Sequence, residues 1–221
     1  MSKLLTEQDF KQASLLLDIE VPVIKAVAEV ESRGDGFLPD GRPKILFEAH
    51  IFGSLTKYKY VDTHPNICSK TWNKSLYKGG AKEYERLEEA MKLDKEAALK
   101  SASWGKFQIM GFNHKLCGWD TVESFVDDMY KSEFEHLKAF IGFIKANNLI
   151  KYLKNKDWAS FARGYNGPKY KENQYDIKLE NAYKKYLLLE QKNTNNDTTN
   201  ADSETKNNNN SSSENGITIN Y

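Results

Sequence analysis

Apolar residues return at helical spacing in one segment after another, with turn formers between them, which predicts a mainly helical protein. Thr6-Glu-Gln-Asp9 reads as an N-cap before a helix that buries Phe10, Ala13, Leu16 and Leu17. Pro22 then suits a first turn, Ile24, Val27 and Val30 keep the period, and Gly34 ends it. The pattern resumes over 82–93 through Tyr84, Leu87 and Met91, and Asp94 caps a further helix through Leu99. Val122, Phe125, Val126 and Met129 form one apolar face; Phe134, Leu137, Phe140, Ile141 and Ile144 form another, ended by Asn147-Asn148. Asp157 caps a short element over 158–162 that runs into the turn Arg163-Gly-Tyr-Asn-Gly-Pro168, and Leu179, Ala182, Tyr183, Tyr186 and Leu187 mark the last amphipathic helix.

Three stretches break this rhythm. Between Gly34 and Pro43, Gly36, Pro39 and Asp40-Gly41 are turn chemistry, and Lys44-Ile-Leu-Phe-Glu48 alternates like a strand, so a small β-hairpin is expected after the second helix. Residues 56–80 carry Tyr58, Tyr60, Trp72, Tyr77 and Gly79-Gly80 without a sustained period and read as a long irregular segment, of the kind that often carries function. Trp72 and Tyr77 are candidate sugar-stacking platforms, with simple loop packing the commoner role for either. In Ser101-Ala-Ser-Trp-Gly-Lys-Phe-Gln-Ile-Met-Gly111, Gly105 and Gly111 let the backbone approach something closely, and Gln108 offers both a donor and an acceptor. That set suits an uncharged polar ligand such as a sugar amide; a tight packing corner between helices is the plainer alternative.

From about Gln191 the chain turns to Asn, Thr, Ser and Asp, a composition that cannot bury enough to order itself. Two parts are therefore expected: a folded domain over 1–190 and a disordered tail over 191–221. The terminal Gly216-Ile-Thr-Ile-Asn-Tyr221 regains strand propensity and could add to the sheet edge of a protein partner. With 221 residues and 39% hydrophobic content, one core of fair size is affordable. Charged residues make up 29% yet leave a net charge of only +1, which gives no clustered basic footprint and argues against a nucleic-acid partner. The two cysteines, Cys68 and Cys117, are read as free thiols, and the four histidines form no metal-ligand spacing, so neither a metal nor a cofactor is expected. Neither a signal peptide nor a membrane span is legible, so the protein is expected to be made in the cytoplasm and to reach any outside substrate by release or specialised export.

The candidate chemistry starts at Glu31. At about 100° per residue it falls between the azimuths of Ile24 and Val27, inside the apolar arc, whereas Glu29 points the other way. A carboxyl partly desolvated at the negative end of a helix should have a raised pKa and hold its proton near neutrality, as a general acid for glycosidic cleavage requires. An ion pair with Arg33 or Arg42 is the alternative, and a helical Glu taken alone is structural far more often than catalytic. Glu48 ends the strand facing away from Phe47 and could look across a cleft at Glu31, with Asp35 and Asp40 in reserve. His50, close behind, is read as orienting a neighbour rather than binding metal.

Glu31-Ser32, Gly105-x-x-Gln108-Ile109 and Tyr165-Asn166 occur in an order that resembles the lysozyme-like superfamily of goose-type lysozymes and lytic transglycosylases. More closely, residues 5 to about 188 resemble the N-acetylmuramidase domain of phage endolysins, through Val30-Glu-Ser32, Gly36-Phe37, Gly41-Arg-Pro43, Leu46-Phe-Glu48, His50, Ser101-Ala-Ser-Trp-Gly105, Phe107-Gln-Ile-Met-Gly111 and Tyr165-Asn-Gly-Pro168. The resemblance implies a mainly α (α+β), two-lobed helical domain with a small β-hairpin, whose cleft binds peptidoglycan glycan strands and cuts after N-acetylmuramic acid. Glu31 matches the catalytic acid, Gln108 and the Gly105 backbone the region that contacts an N-acetyl sugar, and Tyr165 and Asn166 the segment near the acid; Ser103 and His50 complete the candidate substrate-side set. Gly167 follows Asn166 directly, where transglycosylases usually have one residue between, which favours the muramidase branch. A hydrolase needs a second group, and Glu48 is the candidate to activate water or steady an oxocarbenium-like state, at roughly 6.5–9.5 Å from the acid in an inverting enzyme. The alternatives are a lytic transglycosylase giving anhydromuramic ends and a non-catalytic wall-binding protein. A monomer is expected.

Overall fold

The computed structural model describes residues 3–32 and 34–208, with side chains described as far as Lys192. Thr6 caps α1 (Glu7–Leu17) in a reciprocal box: its hydroxyl accepts from the Asp9 N–H, and Asp9 accepts from the Thr6 N–H at 2.8 Å. Asp18 ends the helix in the left-handed conformation, and α2 (Val21–Glu31) follows with Pro22 in its first turn. Ala13 and Leu17 are buried as the spacing predicts, but Leu16 is half exposed. α3 (Ala49–Leu55), α4 (Lys82–Leu93), α5 (Lys95–Lys100), α6 (His114–Cys117), α7 (Val122–Met129), α8 (Glu133–Ala146), α9 (Ile150–Lys154) and α10 (Trp158–Asn166) build the rest of a continuous core. The last helix, α11 (Tyr175–Asn208), packs along α2. Glu29 is what it grips: Lys185 and Tyr186 of α11 both donate to one Glu29 oxygen at 2.6 Å. The expected tail boundary at 191 falls within the range of α11, and the strand-prone 216–221 lies outside the described residues.

The sheet departs from the expected hairpin. β1 (Ile45–Phe47) does not fold back on the residues before it; the turn-rich 34–43 stretch closes with a single bridge between Phe37 and Pro43. Its partner is β2 (Ala102–Trp104), which pairs in turn with β3 (Ile109–Met110), giving an antiparallel order β1-β2-β3 with Ile45 opposite Trp104. The stretch 101–111 is therefore the hairpin, turning at Gly105 with φ +69°. A Cβ on Gly105 would lie 2.6 Å from the His136 ring, and one on Gly111 would lie 2.1 Å from the Leu99 carbonyl oxygen. Both close approaches are made to the protein's own interior.

Four buried polar side chains fasten these irregular segments. Glu83 of α4 has no exposed surface and accepts from the N–H groups of Phe47, Lys78 and Gly79 and from Arg86 at 2.8 Å; Arg86 also donates to the carbonyls of Phe47 and Asn66. The long 56–80 segment is thereby pinned to β1. On α8, Glu133 accepts from the N–H groups of Leu5 and Gly36 and from Lys106. His136 gives Nε2–H to the Met129 carbonyl at 2.7 Å and receives the Lys106 N–H on Nδ1, the neutral tautomer that its burial favours by pushing its pKa down to about 4. Cys68 and Cys117 are buried free thiols, and burial pushes the Cys117 thiol up to about 12.

Candidate active site

Glu31 is the last residue of α2, just beyond the buried Ile24, Val27 and Ala28. Loss of water around its carboxyl raises its pKa from 4.5 to about 7, and a 3.0 Å hydrogen bond from the Asn166 amide to Oε1 offsets part of that rise. Arg42 is not its partner; that guanidinium forks onto Asp40 at 2.7 and 3.0 Å. Asn166 closes α10, and Tyr165 before it lies parallel to Phe161 with centroids 5.8 Å apart, edge-on to Phe140 and Phe143. Burial, with the charge of Glu31 as a second cause, holds the Tyr165 hydroxyl protonated far above its ordinary range. The wall beside Glu31 is aromatic.

The facing wall is built on the sheet. Glu48 follows β1 at the head of α3, and its N–H bonds the Ser101 carbonyl at 2.9 Å. Its carboxylate receives the Tyr77 hydroxyl at 2.8 and 2.9 Å from its two oxygens and lies 3.3 Å from Nδ1 of His50. Between the walls, Ser103 donates to Oε1 of Gln108 at 2.8 Å, while the Gln108 amide nitrogen gives its two protons to the carbonyls of Gly105 and Lys44 at 2.8 and 3.2 Å. With both protons spent in the hairpin, Gln108 offers a ligand only its remaining acceptor capacity.

Glu31, Glu48, Ser103, Gln108, Tyr165 and Asn166 line one cleft of about 350 Å³, together with Phe107, Asn113 and Tyr175. Gly105 and Asp35 line an adjoining hollow of about 230 Å³ that shares Leu46 and Gln108 with the cleft. His50 reaches the site only through Glu48, and Asp40 is occupied by Arg42. Trp72 and Tyr77 do not line the cleft; Tyr77 reaches it through Glu48, a role that its place in an irregular loop could not disclose. Phe107 opens the Phe107-Gln-Ile-Met-Gly111 motif without being singled out by it, and Asn113 and Tyr175 carry no sequence signal that separates them from core residues. Among the described residues no group of three His, Cys, Asp or Glu side chains is placed to hold a metal ion.

Residues 20–187 match the family model of N-acetylmuramidase. Among solved structures, the endolysin of Burkholderia phage AP3 superposes with a TM-score of 0.80 at 42% identity, over 84% of this chain and 73% of that one. No curated protein matches. A family match across most of the chain, in a fold whose cleft is lined by both Glu31 and Glu48, leads to one conclusion: the chain belongs to the N-acetylmuramidase family.

Proposed function

We propose that Glu31 and Glu48 divide the work of peptidoglycan hydrolysis, Glu31 as general acid and Glu48 as the group that activates water or steadies the positive charge at the anomeric carbon. The chain is a glycoside hydrolase of the muramidase class. Glu31 transfers its proton to the oxygen of the β-1,4 bond as that bond leaves N-acetylmuramic acid for N-acetylglucosamine. Water then attaches at the anomeric carbon and loses a proton to a carboxylate, which restores the ionisation balance. Asn166 orients the acid, the Tyr165 cluster keeps water from it, and the spare acceptor of Gln108 faces the glycan.

The observation that carries this reading is the Glu31 carboxyl, whose pKa burial raises to about 7 in the cleft that Glu48 also lines. A lytic transglycosylase and a non-catalytic wall binder are not favoured. Digestion of purified peptidoglycan, with masses of the soluble fragments read, tests the assignment. Reducing muramic ends are expected, and Glu31→Gln should lose about 10³-fold in release while still binding insoluble glycan, since only the transferable proton is removed. Near-normal release by that variant sinks the acid role, and anhydromuramic ends sink the water step. The cell wall is the site of action. Arrival there by release or export, and action as a single copy, belong to the same proposal; no helix among the described residues is long and apolar enough to cross a membrane.

A further inference from the structure

The long 56–80 segment ends in a relay that the hydrolysis reaction has not yet been given a use for. Asn73 caps a short 3₁₀ turn, Lys74–Leu76, by accepting the Ser75 N–H, and Tyr77 follows directly. The next two N–H groups, of Lys78 and Gly79, are clamped by the buried Glu83 at 2.5 and 2.9 Å. Tyr77 is thus held on both sides with its hydroxyl on the Glu48 carboxylate. The hydroxyl is also an acceptor: the Trp72 indole N–H donates to it at 2.8 Å, with the two rings edge to face at 6.5 Å. With that lone pair taken, the Tyr77 proton has Glu48 as its outlet. Burial, together with the bond to Glu48, pushes the phenol up to about 12, so it remains a donor across the range in which a muramidase works. Trp72 itself is 60% exposed, a large apolar face left in water beside the second carboxylate.

We propose that Tyr77 is a positioning residue that fixes the orientation of Glu48, and that Trp72, by holding Tyr77 through its N–H while offering its open face to a saccharide, couples glycan stacking to the placement of that carboxylate. The inference rests on Glu48 as the second carboxylate. The charged and titratable groups around it are His50 at 3.3 Å, Glu31 lining the same cleft, and the Glu83–Arg86 pair beneath Phe47. None of these supplies the hydroxyl's directional bond. Without it the carboxylate is free to swing toward His50 and away from the scissile bond. A charge-assisted hydrogen bond of this kind is worth roughly 10- to 100-fold in rate when it holds a reacting group in place.

Steady-state kinetics on solubilised glycan strands test this on four variants. Tyr77→Phe is expected to lower kcat at least tenfold and leave KM within about twofold, a split that a merely structural role would not give. Trp72→Phe, which keeps an aromatic face and removes the N–H, is expected to lower kcat severalfold with KM little changed, whereas Trp72→Ala should raise KM as well. Full kcat in Tyr77→Phe overturns the positioning role. Should that variant not fold, the kcat split in Trp72→Phe decides, and an unchanged kcat there overturns the coupling. Glu48→Gln separates this from the underlying reading: near-normal turnover there removes the second carboxylate altogether, while an inactive Glu48→Gln beside a fully active Tyr77→Phe removes the relay alone.

Discussion

Glu83 and Glu31 are both helical carboxylates taken largely out of water, yet the protein treats them in opposite ways. Glu83 is fully buried and surrounded by donors: three backbone N–H groups and the Arg86 guanidinium. Glu31 keeps some exposure and receives one side-chain hydrogen bond, from Asn166. Burial with saturation makes an anchor, because every lone pair that lost water has gained a proton donor. Burial with a single donor leaves the charged form undersupplied, and the group holds its proton up to about pH 7 instead. Donor count, more than depth, separates the structural acid from the one proposed to react.

Three substitutions sharpen that contrast. The largest effect is expected from Glu83→Ala, which strands Arg86 and frees the 77–79 segment; urea unfolding should show a loss of about 3–5 kcal/mol. Smaller and opposite in sign is the response to Glu31→Gln. The folded-state pKa lies above the unfolded one, so the proton on Glu31 favours the fold most below about 4.5, and that contribution is lost as pH rises through about 7. Gln does not titrate, so the variant should be more stable than wild type by about 1–3 kcal/mol at pH 8, with the gap closing toward pH 4. A constant gap across that range in thermal melts would show that charge burial is not its cause. Smallest is Asn166→Ala: with the one stabilising donor gone, the Glu31 pKa climbs further, and the basic limb of the kcat/KM profile should move to higher pH by about half a unit to one unit. Movement to lower pH would contradict the hydrogen bond's assigned effect.

The same contrast explains what could be read in the chain before its fold was known. Glu31 was legible because periodicity alone places it in the apolar arc of α2, and Glu29 on the opposite face finds its partners on α11. The caps Thr6, Asp94 and Asp157 mark helix starts because their chemistry is local. Glu83 and His136 were not legible: each shares its helix with one other buried polar residue, Arg86 on α4 and Glu133 on α8, and the loop and hairpin that cover them are not recorded in the helix's own pattern. The sheet failed for the same reason. Ile45 pairs with Trp104, and nothing near either strand records the other's identity, whereas the turn residues at 34–43 advertise a local hairpin that closes with one bridge. Gly105 and Gln108 carry the motif that resembles a sugar site, but their closest partners are His136, Ser103 and the carbonyls of Gly105 and Lys44, so the motif marks the framework under the site as much as its surface.

The bond from Asn166 to Glu31 spans 135 positions, and the remaining walls of the cleft are drawn from points between and from Tyr175 just beyond. No fragment emerging early from the ribosome holds both the acid and its partner, and a cut near the middle of the chain divides them. With Glu31 and Asn166 in the roles proposed for them, cleavage activity arrives all at once, when the late helix docks, and a wall-cutting enzyme assembled in this way stays inert through most of its own synthesis.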